Sequence, residues 1–274
     1  MSDHDISNIH TISNHLKDEG YAIVRNVLTS EKVRFYLTEV TRIYIEEKEA
    51  AEKGLRQNDA DYQMYHKYGD QIFNLVRKSR VFDELYENSV VMAVLKETMK
   101  NKFILTQTEI RRPKINEKVG SANLFHRDGR IVVDADLWIS AFWVLEDVTE
   151  TNGPTTIIPR SHKQPLDPKE NSDKAINLLA NAGDLIFINA NTLHMANKPL
   201  DNASRWILIF TYNQWYLKPT VDHTQLFSRS QVEAMTPVLR ELFGYTSIPP
   251  SDERKRMYTC RPWNEVSDEF VFGA

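Results

Sequence analysis

Apolar positions recur at helical intervals over residues 1–100 and at strand intervals through residues 101–217. Residues 11–19 predict a short helix, Gly20 stops it, and the apolar run 21–24 predicts a strand. Thr29-Ser30-Glu31 has the form of a helix start, and Val33, Leu37, Val40 and Tyr44 follow at helical spacing, giving one apolar face. The charged run 46–53 extends that helix into solvent as far as Gly54. Residues 55–79 lose the period and carry Tyr62, Tyr65, Tyr68 and Phe73; they form either a lid over a site or an irregular packing layer. Helical spacing returns at 81–99, with Phe82, Leu85, Val91, Val94 and Leu95 as the buried stripe.

Strands then take over. Residues 103–111 and the longer apolar run 137–145, with Trp138, Phe142 and Trp143, both read as β. Asn152-Gly153-Pro154 is a turn leading into the β-branched segment 155–159. A polar excursion over 165–182 contains a predicted helix near 175–180, Gly183-Asp184 turns into the strand 185–188, and 203–215 forms another long strand. Near the end, Val232, Met235, Val238, Leu239 and Leu242 mark an amphipathic helix over 230–242. Helices first and strands afterwards, without βαβ alternation, indicate an antiparallel sheet protein: a mainly β, double-sheet jelly-roll core with flanking helices. The simplest organisation is one domain over 1–274, with a mostly helical part (1–100), the core (101–217) and a helical and extended tail (218–274).

Composition narrows the functional classes. Hydrophobic residues are 41% and charged residues 26% of the chain, as in ordinary globular proteins. The formal charge of -4, with basic residues interspersed among acids, points away from a nucleic-acid partner. Arg111-Arg112-Pro113-Lys114 is the densest basic cluster and reads as a solvated strand end. The single Cys260 excludes an intramolecular disulfide and a Cys-built metal cluster. No apolar run suffices to span a bilayer. The expectation is a cytoplasmic protein without membrane or nucleic-acid partners, compatible with a homodimer.

Against this plain background the segment Phe125-His126-Arg127-Asp128-Gly129 stands out. On a strand, positions i and i+2 share a face, so His126 and Asp128 can reach one metal while Arg127 points away. A histidine from a distant strand would complete a two-histidine, one-carboxylate set of the kind that holds Fe(II) with open positions. The same residues also read as a hairpin tip, because Asp-Gly favours turns. His194, after an apolar strand, is either that third ligand or a strand-end hydrogen-bonding residue. Arg205 opens a heavily apolar strand, where a guanidinium needs an anionic mate. The mate is either an internal acid or the carboxylate of a bound small molecule.

His126-x-Asp128, Leu145-Glu146-Asp147-Val148 with Asn152-Gly153, Ile158-Pro159-x-Ser161-His162, Ala182-Gly183-Asp184, His194 and Arg205 occur in one order. In that order and approximate spacing the chain resembles the phytanoyl-CoA dioxygenase family of non-haem Fe(II)- and 2-oxoglutarate-dependent oxygenases. The resemblance covers residues 100–215 well and the helical part loosely. It implies a double-stranded β-helix, iron held by His126, Asp128 and His194, and Arg205 pairing with the distal carboxylate of 2-oxoglutarate. It also implies cosubstrate contacts for Thr155 and Asn123 and a structural place for His162. Two departures stand out: Arg160 replaces the usual glycine of the Pro-Gly-Ser-His signature, and Ala196 stands where some relatives have a hydroxyl. Asp128 is retained, whereas halogenating relatives lose it, so the resemblance implies hydroxylation or a related oxidation with dioxygen.

The implied activity is oxidation of a C–H bond in a small-molecule metabolite, coupled to conversion of 2-oxoglutarate to succinate, of the microbial biosynthetic type. The competing expectation is a jelly-roll sensor that binds metal and 2-oxoglutarate without turnover. Zinc hydrolysis by the same three ligands leaves Arg205 and the linked motifs unexplained.

Overall fold

The computed structural model describes residues 3–55, 70–114, 123–129, 135–200, 205–247 and 261–269. Helix α1 (Asp3–Glu19) is longer than the predicted 11–19 and is followed by strand β1 (Tyr21–Val24). Gly20 between them has φ +84°, and a Cβ there would lie 2.3 Å from Thr192 Oγ1. Only glycine permits both the left-handed turn and the close approach. Helix α2 (Ser30–Glu52) starts where Thr29 Oγ1 accepts the Lys32 amide at 3.3 Å, an N-cap. It buries Val33, Tyr36, Val40 and Ile43, with Leu37 and Tyr44 packed at the margin of the same core.

The predicted helix over 81–99 is divided. Helical turns at Arg80–Phe82 and Asp83–Tyr86 precede α3 (Ser89–Met99), because Asn88 ends one run and caps the next by accepting the Val90 amide at 3.0 Å. All five residues of the expected stripe are nevertheless buried. Of the segment 55–79, residues 56–69 lie outside the described residues, while Asp70–Phe73 forms β2 and Leu75–Lys78 a helical turn.

The remaining strands are β3 (Phe103–Arg112), β4 (Trp138–Val144), β5 (Thr155–Ile157), β6 (Ile176–Leu178), β7 (Leu185–Asn189), β8 (His194–Ala196) and β9 (Ile207–Gln214). They form a six-stranded sheet, β1-β7-β4-β9-β3-β2, and a three-stranded sheet, β6-β5-β8, with antiparallel pairings throughout. The expected helix near 175–180 is instead a 3-10 turn (Ser172–Lys174) running into edge strand β6. Leu178 and Ala180 are taken into the apolar layer between the sheets, and that burial overrides local helix preference.

Alternation along the long strands separates two cores. On β9, Leu208, Phe210 and Tyr212 face the helices, while Ile207 and Ile209 face the smaller sheet. The same division puts Ala141 and Trp143 of β4 on the helical side and Phe142 and Val144 on the other. The large sheet is thus covered on both faces, as a jelly roll with flanking helices requires.

The predicted helix 230–242 is two, Arg229–Glu233 and Pro237–Leu242. Pro237 starts the second behind the cap Thr236, and Val238 is exposed rather than part of the buried face. Pro249, Pro250 and Cys260 lie outside the described residues.

Near this tail His223 is 2% exposed, and neither ring nitrogen has a hydrogen-bond partner among the described residues. Burial pushes its pKa down to about 4, opposed by Asp222. The unfolded chain titrates nearer 6.5, so it binds more protons between these values. The stabilising neutral form is fully present above about pH 6.5, and its contribution fades as pH falls toward 4, by up to about 3 kcal/mol. Melting temperature measured against pH should show this slope in the wild type and a shallower one in His223→Leu.

Candidate metal and cosubstrate site

His126 and His194 meet as an antiparallel backbone pair: each amide donates to the other's carbonyl at 3.0 Å. Opposed residues of such a pair project on one face. Their rings accordingly lie 4.3 Å apart between centroids at an interplanar angle of 50°. Two residues on, the Asp128 amide donates to the Ala190 carbonyl at 2.9 Å, which holds the strand end so that the carboxylate returns to the same face. Asp128 oxygens are 3.6 Å from Nε2 of each histidine, and the three donor atoms lie within 4.8 Å of one another.

Arg127, as its position between the two predicts, turns the other way. Its Nε donates to the Asn191 carbonyl at 2.9 Å, and its Nη2 to the Ser161 and Gln164 carbonyls at 2.9 and 3.0 Å. The chain bends at Asp128-Gly129, and the residues that would complete a hairpin tip lie outside the described residues. A Cβ on Gly129 would lie 2.4 Å from Asn191 Oδ1, so a side chain there would require the Asn191 amide to move.

The histidines are set for coordination. Nδ1 of His126 lies 2.8 Å from the Leu124 carbonyl and Nδ1 of His194 lies 2.9 Å from the Thr192 carbonyl. A carbonyl only accepts, so each Nδ1 carries the proton and each Nε2 offers its lone pair toward Asp128. Burial pushes the His194 pKa below the ordinary histidine value; Asp128 opposes this and His126 adds to it. A neutral imidazole is the form that binds a metal. Two nitrogen donors and one carboxylate on one side, with a cavity on the other, suit iron in a facial arrangement.

That cavity, about 520 Å³, lies between the two sheets. His126, Asp128 and His194 line it, together with Arg205 and Thr155. Arg205 is 4% exposed, and its Nη2 donates to the Gly153 carbonyl at 2.6 Å. Thr155 pairs across the small sheet with Ala196, which also lines the cavity, so the family's missing hydroxyl would have faced it. Asn123 is not among the lining residues; its Nδ2 donates to the Ala196 carbonyl at 2.9 Å and so tethers β8. Trp138 and Phe142 form walls, whereas Trp143 is fully buried in the helical core.

The other signature residues brace the frame. Asp184, fully buried, accepts the Asn26 and Asn181 amides at 2.8 Å and Arg25 at 2.7 Å. Ser161 Oγ accepts the Leu193 amide at 2.7 Å, one residue before His194, and His162 Nε2 lies 2.9 Å from the Lys17 carbonyl. Arg160, at φ +64°, takes the left-handed conformation that suits the family's glycine, and its Nε donates to the Glu19 carboxylate at 2.9 Å.

Two charged lining residues, Glu109 and Arg111, have no site role in the sequence reading. Their signal is alternation: Gln107, Glu109 and Arg111 occupy every second place on β3 and share the cavity face. The reading of 111–114 as a solvated strand end is corrected accordingly. Arg111 faces the cavity, and Arg112 stacks over Tyr44 and Trp206 at 4.7 and 4.2 Å while pairing with Asp70.

A family profile described as phytanoyl-CoA dioxygenase (PhyH) matches residues 16–205. The iron/alpha-ketoglutarate-dependent dioxygenase ausU of Aspergillus calidoustus is 24% identical over 89% of this chain and 84% of its own. Among solved structures, the epimerase SnoN in complex with Fe3+, alpha ketoglutarate and nogalamycin RO has a TM-score of 0.59 at 18% identity, over 78% of this chain and 87% of that one. The alpha-ketoglutarate-dependent carbocyclase SnoK from nogalamycin biosynthesis has a TM-score of 0.53 at 15% identity, over 74% and 83%. These structural likenesses bear on the fold.

Proposed function

The chain belongs to the phytanoyl-CoA dioxygenase family, and on that premise we propose that this iron- and 2-oxoglutarate-dependent dioxygenase hydroxylates a C–H bond of a small-molecule metabolite. His126, Asp128 and His194 hold the iron in this reading, and Arg205 receives the distal carboxylate of 2-oxoglutarate, with Thr155 beside it. Bound iron would activate dioxygen, the oxidant, with two electrons coming from oxidation of 2-oxoglutarate to succinate and carbon dioxide and two from the substrate C–H bond.

The protein's own part is positional. Carbonyls of Leu124 and Thr192 hold the two imidazoles in one tautomer, and the Arg127 anchor fixes the strand end that carries Asp128. Burial between two sheets keeps bulk water from Arg205, which strengthens its hold on a carboxylate. Asn123 acts through the Ala196 carbonyl, keeping β8 and its His194 in register.

The observation that carries the reading is the convergence of three metal donors and a buried arginine on one cavity. Retention of Asp128 favours hydroxylation over halogenation. The whole chain is taken as one oxygenase unit, since one apolar core runs from α1 through the large sheet to Val232, Leu239 and Tyr245. We place it in natural-product biosynthesis in the cytoplasm, as a monomer or homodimer. Among the described residues no helix is long and apolar enough to cross a membrane.

Because the structural neighbours SnoN and SnoK are an epimerase and a carbocyclase, the outcome needs its own test. Turnover with isotopically heavy dioxygen should place one heavy oxygen atom in the product. A product of unchanged oxygen content would mean epimerisation, cyclisation or desaturation instead.

A further inference from the structure

Glu109 and Arg111 form a charged feature on an otherwise neutral wall. Across the large sheet Glu109 pairs with Ile209 and through it with Phe142, and Arg111 pairs with Ile207. All of these residues line the cavity. Glu109 is 5% exposed; Oε2 accepts Gln71 Nε2 and lies 3.7 Å from the Arg111 guanidinium. Glu109 is the buried member, whereas the Arg111 side chain is 31% exposed; taking the carboxylate out of water costs desolvation that an apolar residue of similar volume avoids, so packing alone gives no reason for it. A charged pair on the wall that faces the metal donors across the cavity is a candidate for substrate recognition.

Charge balance then says what it recognises. Among the described residues lining the cavity, the charged side chains are Glu109, Asp128, Arg111 and Arg205, two of each sign. Iron(II) and the 2-oxoglutarate dianion cancel as well, and the histidines bind metal in neutral form. Among the described residues, the loaded cavity therefore has no unmatched charge left for an ionised substrate. Glu109 and Arg111 instead offer an acceptor and a donor side by side, the pattern that fits a hydroxyl or carbonyl group.

We propose that Glu109 and Arg111 are specificity-determining residues that dock an uncharged, hydroxyl- or carbonyl-bearing substrate against β3 and reject ionised ones. This rests on the cosubstrate reading above. The test uses the full chain loaded with Mn(II) and 2-oxoglutarate and three rigid probes of similar shape: adamantanol, adamantylammonium and adamantanecarboxylate. Paramagnetic relaxation of probe protons reports binding near the metal.

The wild type should bind adamantanol at least about fivefold tighter than either ion, because like-charge juxtaposition and unpaired burial disfavour both. Glu109→Gln leaves Arg111 unmatched and should shift selection toward the carboxylate by about tenfold; Arg111→Gln should shift it equally toward the ammonium. A wild type that prefers an ion, variants with unchanged selectivity, or probes that do not relax in the wild type each overturn the proposal. Relaxation of 2-oxoglutarate's own protons separates the two levels. Its absence in the wild type overturns the cosubstrate reading and this proposal with it, whereas failed selectivity with 2-oxoglutarate bound overturns this proposal alone.

Discussion

Asp128→Ala is expected to abolish oxygen-dependent succinate formation while the protein stays folded. The carboxylate is the sole anionic donor of the triad, 3.6 Å from both Nε2 atoms. Loss of residues that merely orient ligands typically costs about 10- to 100-fold in metal affinity, so loss of a ligand exceeds that. Stability should change little, because the side chain is 49% exposed and the backbone bond from residue 128 to the Ala190 carbonyl survives the substitution. Circular dichroism and a melting curve check the fold, and succinate yield with iron in excess checks the function. Wild-type yield in this variant would remove the triad assignment.

Arg205→Ala should raise the 2-oxoglutarate requirement sharply with a smaller effect at saturating cosubstrate. Truncating one partner of a buried charge pair costs about 2–5 kcal/mol, which corresponds to roughly a thirtyfold or greater rise in KM. Arg205→Lys keeps the charge but not the planar fork and should recover only part of the loss. The Gly153 carbonyl also loses its 2.6 Å bond, so a modest fall in melting temperature is expected in both variants. An unchanged KM in Arg205→Ala would break the assignment.

What could be read before folding followed the range of the physics involved. His126 and Asp128 were visible because strand alternation acts over two residues. That His194 joins them depends on β8 returning beside residue 126, a matter of topology that only the ordered set of motifs signalled. Strands β3, β4, β7 and β9 were legible from their apolar runs, but β6 was not. Its short segment has helical preference, and it becomes a strand because β5 offers an open edge. Asn88 and Pro237 broke two expected helices by capping, although the apolar faces around them were read nearly correctly. Glu109 and Arg111 are not legible as cavity residues for a specific reason: polar residues at alternate strand positions usually mark a solvent face, which is how Arg111 reads in the sequence. Here both faces of the sheet are covered, so the same polarity marks a cavity.

Iron is expected among His126, Asp128 and His194, with 2-oxoglutarate beside Arg205. Anaerobic crystals grown with Fe(II) and 2-oxoglutarate, measured at the iron absorption edge, test it directly. An anomalous peak is expected within bonding distance of both Nε2 atoms and the Asp128 carboxylate, with 2-oxoglutarate density ending at the Arg205 guanidinium. A peak elsewhere, or a site that binds 2-oxoglutarate away from Arg205, would contradict it.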